Sequence, residues 1–183
     1  MNDRWHTAIH EAGHAVIGRV LTMVCGGASI VADEAENEAG HSITADPMVI
    51  LGEWDRRGKW RGSDLGTASV FRGRALTVMA GAEAEAEILG QCQGGDGDDR
   101  YQVALMLYEI AEEGEHERIE IRLRRAARSL IRRHRTDIER VATALMERET
   151  LTGDEIDAML PPGFMARPSV WATACGESDY EPR

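Results

Sequence analysis

The sequence predicts a mainly α-helical fold with one small β-hairpin or sheet. Ala, Glu, Arg and Leu are frequent in a chain of 183 residues in which only 5% are aromatic, a composition that favours helices. Apolar residues recur at three- and four-residue steps in one segment after another. Between residues 26 and 62 that rhythm gives way to two short strand-like runs set among Gly, Pro and acidic residues. A chain of this length can bury its own core, so one domain over residues 1–160 is expected, followed by a loose tail over 161–183.

The first helix is expected over residues 3–23, with Trp5, Ile9, Ala12, Val16 and Val20 on its inner face. Gly13 would let another backbone approach closely, and Gly26-Gly27 would end the helix. Two candidate strands, 28–32 and 41–45, are joined by the acidic run 33–38. That run has no calcium-ligand rhythm and reads as a solvated turn. Residues 46–62, with Trp54, Trp60 and Arg56-Arg57, read as a surface loop near the site in which the tryptophans are anchors.

A second helix is expected over 65–89, capped by Ser63 or Asp64. Gly66, Gly73 and Gly81 weaken it in isolation, so packing must hold it or it breaks in two. A Gly-rich turn at 90–99 precedes a third helix marked by Val103, Leu107 and Ile110. A fourth runs over 117–134 with the stripe Ile119, Leu123, Ala127, Leu130 and His134. Its Arg-rich face calls for acidic neighbours within the fold or in a homo-oligomer. The fifth carries Ile138, Val141, Ala142, Leu145 and Met146 behind a capping box of Thr136 and Glu139, and a short last helix opens on Thr152 and Glu155 in the same way.

Charge excludes some functions. With 21 basic and 32 acidic residues the formal net charge is −11, which disfavours nucleic acid and anionic membranes as partners. No apolar run reaches the roughly 18–20 residues that span a bilayer. The N-terminus lacks the plan of a signal peptide. Cys25, Cys92 and Cys175 are scattered and odd in number, which suits no disulfide framework. The expected location is cytoplasmic.

The chemistry concentrates in His10-Glu11-Ala12-Gly13-His14. Histidines four apart on a helix share one face, and two neutral imidazoles supply half of a tetrahedral zinc site. Glu11 is the carboxylate that could take a proton from an activated water, the H-E-x-x-H arrangement of zincins. A third ligand is needed. His6 would string all three along one helix, His41 falls in a strand, His116 in a charged turn, and His134 in an apolar stripe or at a helix end. Asp96, Asp98 and Asp99 close the Gly-rich turn and begin a helix. If Asp98 caps that helix, Asp99 is free to reach the ion; alternatively both only cap it and complement its dipole.

On these residues the chain resembles the peptidase domain of the FtsH-type ATP-dependent zinc metalloproteases. Residues 8–16 are close to that family's H-E-A-G-H-A signature. Residues 79–85 are similar to its G-G-R-x-A-E-E segment, with Gly81, Ala84 and Glu85 in register. The turn at 94–99 resembles T-G-A-S-N-D, whose last aspartate is the third zinc ligand and falls on Asp99. Residues 130–160 look like the family's C-terminal helices. Arg100 stands where the family has Leu or Ile, which keeps Asp98 open as the alternative ligand. Family members also carry a membrane anchor and an AAA+ module, and no Walker-type loop occurs in this sequence.

The resemblance implies a helical, zincin-like peptidase domain with its hairpin or sheet near a Zn2+ site of His10, His14 and Asp99. Glu11 would be the general base, and the strand near 41–45 would hold an extended peptide by edge pairing. Glu85 would either orient a ligand histidine or serve helix packing. Substrates would be unfolded or flexible polypeptides cleaved without ATP in this chain, unless a separate unfoldase delivers them. One alternative is a catalytically idle metal-binding regulatory or scaffolding module. Another, a zinc hydrolase of small amides, would share every site residue.

Overall fold

The computed structural model describes residues 2–21, 23, 25–32, 39–44, 65–94 and 96–162. The acidic run 33–38, the expected caps Ser63 and Asp64, Trp54, Trp60, Cys175 and most of the 161–183 tail lie outside the described residues. The fold is mainly helical with a three-stranded antiparallel sheet, as the composition predicts. No helix among the described residues is long and apolar enough to cross a membrane.

Helix α1 (Asn2–Val20) lies at the centre. Ala8, Ile9, Ala12, Ala15, Val16 and Ile17 are fully buried, a face too wide for one neighbour to cover. It packs on α2 (Leu65–Ala84), α5 (Arg135–Arg148) and the sheet. Its last turn is closed by the Met23 N–H, which donates to Gly18 O at 2.8 Å. Gly26-Gly27 does not end this helix, which stops at Val20. Both glycines belong to β1 (Cys25–Ser29), which starts three residues before the expected strand. Gly27 has φ +142°, and a Cβ there would sit 2.5 Å from Leu151 O, so the pair serves a bulge rather than a helix stop.

β1 pairs with β2 (His41–Thr44), with Ser29 opposite His41 and Ala28 opposite Ser42. On its other edge it pairs with β3 (Thr150–Thr152), giving the order β2-β1-β3. The sequence gives no warning of β3, a three-residue strand wedged between two helices.

The helix expected over 65–89 is α2 followed by a π-helical segment (Glu85–Leu89), which ends on left-handed Gly90. α3 (Gly97–Ile110) and α4 (His116–Arg133) pack against the other side of α2 around Phe71, Met79, Met106 and Leu123. The basic face of α4 meets acids within the fold: Arg124 and Arg128 donate to Glu83 at 3.0 and 2.5 Å, and Arg132 donates to Glu87 at 2.7 Å. The Thr136–Glu139 capping box does not form. His134 ends α4 and begins α5 directly, which places Thr136 inside the helix rather than at its cap. The Thr152–Glu155 box does form, at the start of α6 (Gly153–Met159).

α6 is tied to the centre by a buried ion pair. Arg19 of α1, 5% exposed, donates from Nε and Nη2 to the two carboxylate oxygens of Asp157, each at 2.6 Å. Truncating one partner of a buried pair typically costs about 3–5 kcal/mol, and partial exposure of Asp157 lowers that. Asp157→Ala is therefore expected to destabilise the fold by about 2 kcal/mol in urea unfolding followed by circular dichroism. A change below about 0.5 kcal/mol would mean that other contacts, such as burial of Ile156 and the hydrogen bond from Arg140 to Met159 O, suffice to hold α6.

Candidate metal centre

α1 sets the two histidine rings one above the other, with centroids 4.7 Å apart and planes at 78°. α3 starts at the same cleft, and Asp99 stands third in that helix. Its Oδ2 lies 3.1 Å from His10 Nε2 and 3.2 Å from His14 Nε2. Single donor atoms of His10, His14 and Asp99 all fall within 4.8 Å of one another, a group able to hold a metal ion.

The other candidates lie elsewhere. Asp98 lines the cleft but is not in this group, and it does not cap α3. The N-cap is Asp96, whose carboxylate accepts from Arg100 Nε at 2.8 Å, so the unusual arginine braces the turn. His116 Nε2 donates to Ala111 O at 3.1 Å, and His134 sits at the α4–α5 junction, as its helix-end reading expected. His41 lies on the cleft wall without joining the group. His6 is buried and turned to Glu85, its Nδ1 3.1 Å from Oε2.

Both histidines of the group have their Nδ1 atoms engaged. His14 Nδ1 donates to Thr77 O at 2.8 Å, which leaves the Nε2 lone pair for a ligand. His10 Nδ1 donates to Glu85 Oε1 at 2.7 Å. Glu85 also accepts the Gln93 N–H at 3.1 Å and, from farther off, the Cys92 thiol at 3.8 Å. Of the two sequence readings of Glu85, the geometry matches the one in which it orients a histidine. Its sharing with His6 has no sequence signal, because the residues are 79 positions apart.

Two glycines set how closely α1 and α2 cross. A Cβ on Gly13 would meet Ala80 O at 2.7 Å and Ala84 Cβ at 2.9 Å, the close approach expected from the sequence. From the sequence Gly81 reads as a weak point of its helix that also falls in register with the G-G-R-x-A-E-E segment. A Cβ on Gly81 would lie 2.5 Å from His10 Nε2 and 2.5 Å from His14 Nε2, so this glycine makes the space in which the donor atoms sit. Isolated glycines inside helical patterns were the available signal.

The electrostatics favour a cation at this point. Burial lowers the pKa of His10, but hydrogen bonds to Asp99 and Glu85 and the nearby Glu11 outweigh it and raise it to about 10. Burial opposes ionisation of Asp99, yet the charges of His14 and His10 hold its carboxyl well below the usual range. Burial pushes the Glu11 carboxyl up, offset in part by the same two histidines. Two imidazole nitrogens, one carboxylate oxygen and the space over Gly81 fit a divalent ion with three protein ligands and an open position. A cavity of about 490 Å³ opens in front of them, lined among others by Glu11, His41, Ser42, Arg74 and Gln102.

No family model matches the chain. Among curated proteins it is similar to the ATP-dependent zinc metalloprotease FtsH 1 of Symbiobacterium thermophilum, at 29% identity over 184 aligned positions. That alignment covers 86% of this chain and 29% of the relative, so the chain spans less than a third of that protein's length. The match points to a distant relationship with FtsH.

Proposed function

We propose that the chain is a zinc metallopeptidase, with His10, His14 and Asp99 holding the ion and Glu11 acting as general base. The observation that carries this reading is the meeting of Asp99 Oδ2 with two Nε2 atoms whose rings are fixed from behind. Zinc bound there would supply Lewis acidity, polarising water and the scissile carbonyl. Glu11, 6% exposed at the edge of the cleft, takes the proton of the attacking water and passes it to the leaving amine. A carboxyl whose pKa burial has raised is a stronger base once ionised.

Substrate would lie along β2, whose residues His41, Ser42 and Thr44 line the cavity. Backbone pairing at a strand edge tolerates many sequences, which suits unfolded or flexible polypeptides. Peptide-bond hydrolysis by activated water consumes no ATP of itself, and an unfoldase would extend its reach to folded substrates. The distant likeness to a zinc metalloprotease agrees with this reading.

The test is zinc content and casein cleavage by the purified protein. One zinc per chain is expected, with cleavage lost on chelation and restored by added zinc, and Asp99→Ala should fail to retain the ion. A protein that holds one zinc and leaves casein intact would be the metal-binding module instead.

A further inference from the structure

Amide hydrolysis gains from a further donor besides the base and an ion that would polarise the carbonyl. As the water oxygen bonds to the carbonyl carbon and its proton passes to Glu11, negative charge collects on the carbonyl oxygen. The C–N bond then breaks, and the amine leaves with that proton. A donor aimed at the charged oxygen must stand within about 3 Å of it, and the base must stand equally near the same carbon centre. A part of the cleft wall that lies close to Glu11 can meet both distances.

The start of β2 lies there. A Cβ on Gly40 would be 2.8 Å from Thr7 Cγ2 and 3.2 Å from Glu11 Cγ, so the backbone just before His41 rests on the base itself. His41 is the next residue, exposed, and it is among the residues that line the same cavity as His10, Glu11, His14 and Asp99. Pairing with Ser29 of β1 holds its backbone, and β1 is in turn held by β3. Of the other polar groups on the wall, Arg74 donates to Thr44 Oγ1 and to Gln102 Oε1, Glu85 is engaged behind His10, and the Ser42 hydroxyl is the neighbouring donor that a Ser42→Ala control separates from His41.

We infer that His41 is a further catalytic residue, whose ring N–H donates a hydrogen bond to the carbonyl oxygen of the scissile peptide as it becomes negative. The ring keeps its proton throughout, so the step transfers nothing and only stabilises charge. This role rests on the peptidase reading and gives a use to a histidine that is outside the metal-ligand group.

The experiment compares zinc-loaded wild type, His41→Phe and His41→Gln, with Glu11→Gln as the inactive control. Loss of one such donor costs about 10²–10³-fold in kcat. His41→Phe should show that loss with KM within about threefold and zinc content unchanged. His41→Gln, which keeps an N–H donor, should recover at least about tenfold of it. The second readout is the Kd of a phosphinic pseudopeptide, whose tetrahedral centre copies the charged species. His41→Phe should weaken it by about the same factor as kcat. His41→Phe within about threefold of wild type in both readouts overturns the assignment. If the zinc-loaded wild type cleaves nothing, the peptidase reading fails, and His41 is judged on the pseudopeptide alone. Weakened binding by His41→Phe then supports the donor, whereas unchanged binding, or no binding to the wild type, overturns it.

Discussion

Glu11→Gln is expected to retain one zinc per chain and to lose casein cleavage by about 10³-fold or more. General base catalysis by a positioned side chain is worth about 10²–10⁴-fold, and Gln is nearly isosteric with Glu but cannot take a proton. The metal should stay because Glu11 is outside the group formed by His10, His14 and Asp99, and because Glu85 and Thr77 rather than Glu11 orient the rings. Parallel zinc analysis and fluorescent-casein assays on the two proteins check this. Unchanged cleavage by the variant would sink the assigned role of Glu11, even if chelation still abolished activity.

Gly81→Ala should remove the metal while leaving the helices intact. Its added methyl would lie 2.5 Å from both His10 Nε2 and His14 Nε2, and no real Cβ contact is that short. The rings cannot simply rotate away, since each is held through Nδ1. Parting α1 from α2 would strip the close packing of Gly13 on Ala80 and Ala84 at their crossing, which has its own cost. Zinc affinity should fall by about 10–100-fold, the usual loss when groups that orient metal ligands are disturbed. Helix propensity moves the other way, by about 1 kcal/mol in favour of Ala. Far-UV circular dichroism should therefore stay close to wild type, while zinc titration separates the two proteins. Wild-type zinc affinity in Gly81→Ala would show that the ion sits elsewhere.

What could be read from the sequence follows the range of the forces involved. α1, α3, α4 and α5 announce themselves because burial of one face imposes a local period that the residues display. The His10–His14 pair is legible for the same reason: helix geometry alone brings the two rings together. The Gly-rich turn ending at Asp99 could be singled out by composition, but its meeting with His14 depends on how α2 spaces α1 from α3. Strand β3 and the start of β1 were not legible, because three- and five-residue strands are decided by their partners across the sheet. The Thr136–Glu139 motif misled because a cap needs a non-helical residue before it, and the chain instead turns at His134. Gly81 and the pairing of Glu85 with His6 are tertiary facts. Apart from the register of Gly81 and Glu85 with the G-G-R-x-A-E-E segment, their local sequence looks like an ordinary, somewhat weak helix.

Three residues of that weak helix stand at alternate positions: Gly81 beneath the imidazoles, Glu83 gripped by Arg124 and Arg128, and Glu85 behind His10 and His6. Residues two apart on a helix point to nearly opposite sides. The end of α2 is thus clamped like an axle between two bearings, with its roll angle set by α4 on one side and α1 on the other. A roll that served one side would pull the other out of line. The arginines of α4 lie across α2 from the cleft, yet they help fix the angle at which the space over Gly81 faces His10 and His14.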